Sequence, residues 1–284
     1  MPRKTSASKQ AASRRIAIAA CLIYATSCSA RAGTFVPTGS LNGTRSQHTA
    51  TLPTNGQVLV AGGYGFNGGA LPNTAEIYNP DTGGWTLTGS LNTPRYEHTA
   101  TLLANGKVLA AGGWKDFTYL TATAEMYDPA SGNWAKTGTM ATLWASHTAS
   151  LFRNGKVLVA GGVGAGATAE LYDPVAGTWG LTSPMNFTRN GHIGALLPNG
   201  QVLFAGSTGS WASSQTAELY NPTNSTWTVA GSLNTNNSSA TGTLLPNGAV
   251  LVAGGSDTNG NTLASAELYL TPIPIVLEPV INFL

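Results

Sequence analysis

One phrase recurs five times along the 284 residues, and that recurrence limits what the chain can fold into more than any other feature. Its clearest copy runs from His98 to Gly113, followed by Thr123-Ala-Glu-Met-Tyr-Asp-Pro129 and then Trp134. The first glycine of the Gly-Gly phrase, or its counterpart, falls at Gly62, Gly112, Gly161, Gly206 and Gly254, in steps of 50, 49, 45 and 48. A period of that size means stacked units, none of which buries its own hydrophobic face alone.

The first 32 residues stand apart from the repeat. Met1 to Arg15 carries five basic residues and no acid, Ile16 to Tyr24 is apolar, and Ala30-Arg31-Ala32 offers a cleavage site before Gly33. This reads as a signal peptide over 1–32, too short and wrongly flanked for a transmembrane helix. A secreted or extracytoplasmic protein is expected. Ala25-Thr-Ser-Cys28 makes a poor lipobox, so soluble release is favoured over a lipid anchor on Cys28. No later stretch is long and apolar enough for a transmembrane helix.

Setting that segment aside changes the charge. It holds six of the 14 Lys and Arg and none of the 12 acids, leaving eight against 12, a net charge near −4. Without a basic patch there is no electrostatic footing for nucleic acid. Both cysteines, Cys21 and Cys28, lie in the same segment, so the rest has neither disulfide nor thiol nucleophile.

Each repeat parses into four short strands. The first two are joined by Asn-Gly in all five copies, at Asn55, Asn105, Asn154, Asn199 and Asn247. Asn-Gly accepts the positive φ of a type I′ turn, a strong hairpin signal. Val-Leu-Val-Ala runs suit a second strand covered on both faces, and Tyr-Asn/Asp-Pro ends the third strand in all but the last repeat. A four-stranded meander of about 50 residues with Gly-Gly and a later Tyr and Trp resembles the kelch repeat. The likeness is to the bacterial, galactose-oxidase-type variety and spans Thr34 to Tyr269. It implies an all-β fold, a kelch β-propeller of five four-stranded blades over 33–271, with 272–284 as a tail. Thr34-Phe35-Val-Pro-Thr-Gly-Ser-Leu41 aligns with Gly84-Trp85-Thr-Leu-Thr-Gly-Ser-Leu91. An amino-terminal strand is therefore expected to complete the last blade and remove the sheet edges. Ile275-Val-Leu277 falls at the same place and competes for it.

Residues that repeat read as scaffold. His48, His98, His147 and His192 share one position, and a set spread over separate blades does not converge on a metal. Hydrogen bonding to a neighbouring strand is the expectation for them. Glu76, Glu125, Glu170, Glu218 and Glu267 recur beside the motif tyrosine and are expected to hold backbone N–H groups or a nearby cation. The tyrosines and Trp85, Trp134, Trp179 and Trp227 should pack between blades.

Recognition is expected where the repeat breaks, on the face carrying the links between second and third strands and between blades. Off-register aromatics gather there: Tyr64, Phe66, Tyr96, Trp114, Phe117, Tyr119, Trp144 and Trp211. Arg45, Arg95 and Arg189 each precede a motif histidine by three residues and are expected to ring the channel mouth and clamp an anion. The leading reading is an exported binding propeller that takes a glycan or a protein on this face, monomeric, without metal or cofactor. A copper oxidase of the galactose-oxidase type needs a Cys–Tyr cross-link, and no cysteine follows Ala32. A sugar mutarotase or epimerase, resembling exported sialic-acid epimerases, would need an acid–base group, for which Glu97 is the candidate, with Asp116 and Asp257 on the same face. A structural display module without a small ligand is the third reading.

Overall fold

A computed structural model describes residues 35–65, 72–208 and 214–271. The leader 1–32, the tail 272–284, Phe66 and Trp211 lie outside the described residues. The chain divides into two units, Met1–Thr38 and Gly39–Leu284. In the first, the described residues Phe35 to Thr38 form no strand, and Phe35 and Val36 are exposed.

The second unit is five antiparallel sheets, each a meander with its strands in chain order. Blade one has β1 (Thr49–Thr51), β2 (Val58–Ala61), β3 (Ala75–Asn79) and β4 (Gly84–Thr88). Blade two has β5 (Thr99–Leu102), β6 (Val108–Ala111), β7 (Ala124–Asp128) and β8 (Asn133–Lys136). Blade three has β9 (Thr148–Leu151), β10 (Val157–Ala160), β11 (Ala169–Asp173) and β12 (Thr178–Leu181). Blade four has β13 (Ile193–Leu196), β14 (Val202–Ala205), β15 (Thr216–Asn221) and β16 (Thr226–Ser232). Among the described residues blade five has three: β17 (Thr241–Leu244), β18 (Val250–Ala253) and β19 (Ala266–Tyr269). The expected amino-terminal fourth strand is not formed among the described residues.

The Asn-Gly links close their hairpins, though not as type I′ turns. Only the glycine is left-handed, with φ from 79° at Gly56 to 86° at Gly200. Gly106 N donates to Leu103 O, and Asn105 Oδ1 accepts Lys107 N at 3.1 Å. The asparagine side chain mimics a backbone acceptor, so the turn is type I closed by a left-handed glycine. This correction leaves the hairpin intact and changes why Asn is there.

Each blade buries one face against the next. Leu59, Ala61 and Ala75 of blade one meet Val108, Ala110, Tyr127 and Trp134 of blade two, and the same positions meet at the following junctions. The second strands β6, β10 and β14 are buried at every residue, as their apolar runs require. Tyr and Trp pair within a blade at ring-centroid distances of 5.0–5.1 Å. The tyrosine hydroxyl then reaches a threonine of the preceding blade, as in Thr88 Oγ1···Tyr127 Oη at 2.8 Å. The aromatic body is buried while its polar tip is satisfied.

The histidines stitch the innermost strands. Thr49, Thr99 and Thr148 Oγ1 lie 3.0, 2.9 and 3.1 Å from Nε2 of His98, His147 and His192 in the next blade. At the fourth junction Ile193 replaces Thr and Ala240 replaces His, an apolar exchange of both partners at once. Burial, then the Arg95 charge, lowers His147 to about 3. Burial, then Arg189 and His147, does the same to His192, and His98 also lies well below its ordinary value.

These buried imidazoles stay neutral in the fold and charge readily once unfolded. Between about pH 3 and 6.5 the unfolded chain therefore binds more protons, so this part of the stability is complete above 6.5 and is lost as pH falls. Chemical denaturation at stepped pH should show that decline, and His147→Gln should flatten it.

Candidate functional site

The three arginines expected to clamp an anion are bound to the protein instead. Arg95 sends Nη1 to the carbonyls of Gly112 and Thr123, at 2.6 and 3.0 Å, and Nη2 to Thr123 Oγ1 and Glu125 Oε1, at 3.1 and 2.8 Å. Arg45 makes the same set with Gly62, Thr74 and Glu76, and Arg189 with Gly206, Thr216 and Glu218. These side chains are 0–1% exposed. Spacing placed each guanidinium three residues before a histidine, but not which way it turned.

The carboxylate beneath each arginine has a second task. Glu125 also accepts Asn92 N, Asn92 Nδ2 and Thr93 N, tying down the link that enters its blade. Glu76, Glu170, Glu218 and Glu267 hold Asn42, Ala141, Asn186 and Asn234 in the same way. Burial pushes the Glu125 carboxyl up, yet the hydrogen bonds from Arg95 and Asn92 outweigh it and keep the group below its usual value. Trp144, expected on the recognition surface, is fully buried at the arginine position of blade three, and its Nε1 donates to Glu170 Oε1 at 3.2 Å. Asn237 fills that position in blade five through Nδ2 to Gly254 O.

The remaining off-register aromatics among the described residues come together on blades one and two. Tyr64 meets Tyr96 edge-on at 5.8 Å and Phe117 at 5.7 Å, while Tyr96 stacks on Trp114 at 6.3 Å and 17°. Backbone bridges join Tyr96 to Trp114 and Trp114 to Leu120, so the loop after β6 is folded against the link entering blade two. Phe117 and Tyr119 stand 58% and 62% exposed, with Lys115 Nζ 5.6 Å from the Tyr119 ring centre. Tyr64, Tyr96 and Trp114 are half-buried beneath them.

Glu97 sits in the middle of this group with φ +51°. Its carboxylate accepts Gln47 Nε2 at 2.8 Å, Trp114 Nε1 at 3.2 Å and Ser146 Oγ at 2.5 Å, bonds to blades one, two and three. Burial first, then the Glu97 charge, raises the Tyr96 hydroxyl above its ordinary value. Gln47, Ser146, Gly191 and Ser239 hold the equivalent left-handed positions. The sequence shows this variable position, one residue before each motif histidine, and Glu97 is the carboxylate among its occupants. Asp116 and Asp257 cap their own loops, accepting Thr118 N and Tyr119 N, and Asn259 N and Asn261 N.

Two openings flank this surface and its opposite. The bare loop of blade three, with Gly162, Gly164 and Gly166, leaves a polar cavity of about 250 Å³ against Thr188, Asn190 and Thr208. A larger groove of about 410 Å³ lies among the hairpins on the other face, lined by Phe152, Arg153, Leu197, Pro198 and Leu244. The hairpin face had looked uniform, and its near-identical turns hid that groove. Among the described residues no group of three His, Cys, Asp or Glu is placed to hold a metal, and no helix is long and apolar enough to cross a membrane.

Comparison with known proteins agrees with this architecture. Residues 94–141, the second repeat, match the family model described as the Kelch motif. The fold is similar to that of YjhT, a kelch-repeat propeller, with a TM-score of 0.64 at 18% identity, over 80% of this chain and 82% of that one. No curated protein matches the sequence.

Two substitutions separate scaffold from surface. Trp144→Ala should cost roughly 3–5 kcal/mol of stability, the usual range for a buried aromatic. Phe117→Ala should change stability by less than about 0.5 kcal/mol. Equilibrium unfolding of the two variants checks both.

Proposed function

We propose, from a chain that carries the kelch motif and folds as a kelch-type β-propeller, an exported binding module whose recognition surface is the loop face of blades one and two. The observation that carries this reading is the aromatic patch: Phe117 and Tyr119 exposed over Tyr64, Tyr96 and Trp114. Exposed rings on a rigid scaffold present flat apolar area at low entropic cost, suited to the faces of sugar rings. With the arginines neutralised by buried glutamates, the patch has no open anion clamp, so a neutral glycan fits better than an acidic one. A protein partner is the second reading, supported by the anchoring role aromatics play at interfaces.

An epimerase reading would rest on Glu97. That carboxylate already receives three hydrogen bonds from three blades, the arrangement of a staple rather than of a free base. Binding is therefore the reading favoured over catalysis.

Thermal unfolding against neutral and acidic sugars tests it. A neutral glycan that binds only the folded state should raise the midpoint, with about 2.7 kcal/mol of stabilisation at a hundredfold excess over Kd. Phe117→Ala and Tyr119→Ala should abolish the shift while leaving the unliganded midpoint in place. A shift with acidic sugars alone would overturn the ligand class. No shift with any sugar would move the assignment to a protein partner.

A further inference from the structure

Blade three interrupts the loop face. Its repeat, from Gly161 to Gly206, spans 45 residues, the shortest of the four steps. Where blade two carries Trp114 after its Gly-Gly bend, blade three carries Val163, bridged to the small Ala145. The loop continues through Gly164 and Gly166, at φ of 93° and 62°. A side-chain carbon on Gly164 would stand 2.5 Å from Leu120 Cδ1, at the foot of the loop that bears Phe117 and Tyr119. The polar cavity of about 250 Å³ therefore opens beside the aromatic patch. It has the size of one sugar ring rather than of a chain.

The far wall of this cavity, on blade four, holds polar groups that the fold leaves unspent. Asn190 occupies the position that Tyr96 takes in blade two, one residue after the motif arginine. Its backbone is used, N donating to Ser207 Oγ at 3.3 Å and O accepting Thr208 N at 2.8 Å. Its side-chain Oδ1 is buried with no hydrogen-bond partner among the described residues. Buried polar groups are nearly always paired, so such an atom calls for an occupant. The last torsion of an amide is soft, and turning it presents either Oδ1 or Nδ2 to the cavity.

A second set of unspent groups lies next to it. The links that enter successive blades are laced by backbone bonds: Glu97 N donates to Gln47 O at 3.2 Å, Ser146 N to Glu97 O at 3.1 Å, and Ser239 N to Gly191 O at 2.7 Å. The step between Ser146 and Gly191, at the junction of blades three and four, carries no such bond among the described residues. Gly191 follows Asn190 in the chain, and Thr208 of the cavity wall stands against it. The lacing is open at the place where the cavity lies.

We propose that this cavity is a subsite for one uncharged sugar residue of a glycan whose neighbouring residue stacks on Phe117 and Tyr119. The subsite depends on the aromatic patch being the binding surface, and it gives the ligand a length and a direction. Two residues or more run from blade two across the low loop of blade three to Asn190. The chemistry of the wall sets the class. Thr188, Asn190, Thr208 and the glycine backbone donate and accept without charge. Arg189 also lines the cavity, but its guanidinium is committed to Glu218 and to the carbonyls of Gly206 and Thr216. No carboxylate lines it among the described residues. Hydroxyls, which both donate and accept, match an amide that does the same.

Calorimetric titration of the full-length chain with glucose, mannose and N-acetylglucosamine, and with their linear di- and tetrasaccharides, tests this. At least one tetrasaccharide should bind about 10-fold more tightly than its monosaccharide. Asn190→Ala removes the amide, and Val163→Trp puts the ring of blade two into the low loop. Each should bring that tetrasaccharide back to the affinity of the monosaccharide, while Phe117→Ala should weaken binding at every length. Thermal unfolding separates binding from folding: Asn190→Ala should leave Tm in place, and a Tm lowered by several degrees would show the amide serving the scaffold and overturn the subsite. Affinity that does not grow with length, or that grows equally in both variants, also overturns it. The patch then stands by itself if Phe117→Ala still weakens binding. No binding of any sugar overturns the patch as a glycan site and the subsite with it.

Discussion

The glutamate on each third strand is the constraint on which the rest of the molecule depends. It receives the backbone of the link that enters its blade, it is buried in the first four blades, and in three of these it faces a buried arginine. Removing two charges from water is expensive, and the pair is tolerable only because nearly every donor and acceptor around it is used. The arginine in turn bonds two carbonyls at the Gly-Gly bend, such as those of Gly112 and Thr123, the second of which also accepts Gly112 N. One ion pair therefore fixes the bend, the third strand and the incoming link together. Blades three and five show that the geometry matters more than the charge, since Trp144 and Asn237 supply neutral donors at the same place.

The architecture was legible because its devices are local and repeated. Asn-Gly, Gly-Gly and the Tyr-to-Trp spacing each report a turn or a packing position within a few residues, and each recurs. The meaning of the charged repeats was only half legible. The periodic glutamates read correctly as scaffold, whereas the arginines, missing from two blades, looked like a varied and therefore functional set. Whether a long side chain turns inward depends on a carboxylate some 30 residues away in sequence, as with Arg95 and Glu125. Trp144 misled for the same reason, an aromatic standing where other blades carry an arginine. The type of the hairpin turn was also beyond the sequence, because Asn can serve either by adopting a left-handed φ or by lending its side-chain oxygen.

On the proposed binding reading, recognition falls to the part of the chain that does not repeat. The loop after β6 carries Trp114, Phe117 and Tyr119 on a base of Tyr64 and Tyr96, and Glu97 locks that base to three blades. Rigidity beneath and exposed rings above form the division of labour expected of a binding loop on a stiff frame. The groove among the hairpins is larger, but its lining belongs to the repeated turns and carries the hydrophobic ends of the innermost strands.

Glu125→Gln tests the central claim most directly, because it keeps the shape of the side chain and removes the charge facing Arg95. If the pair is the buried fastening described, equilibrium unfolding should show a loss of about 3–5 kcal/mol, since an uncompensated guanidinium stays behind in the interior. A change below about 0.5 kcal/mol, the size expected at an exposed site, would contradict the account and return Arg95 to the surface as a free cation.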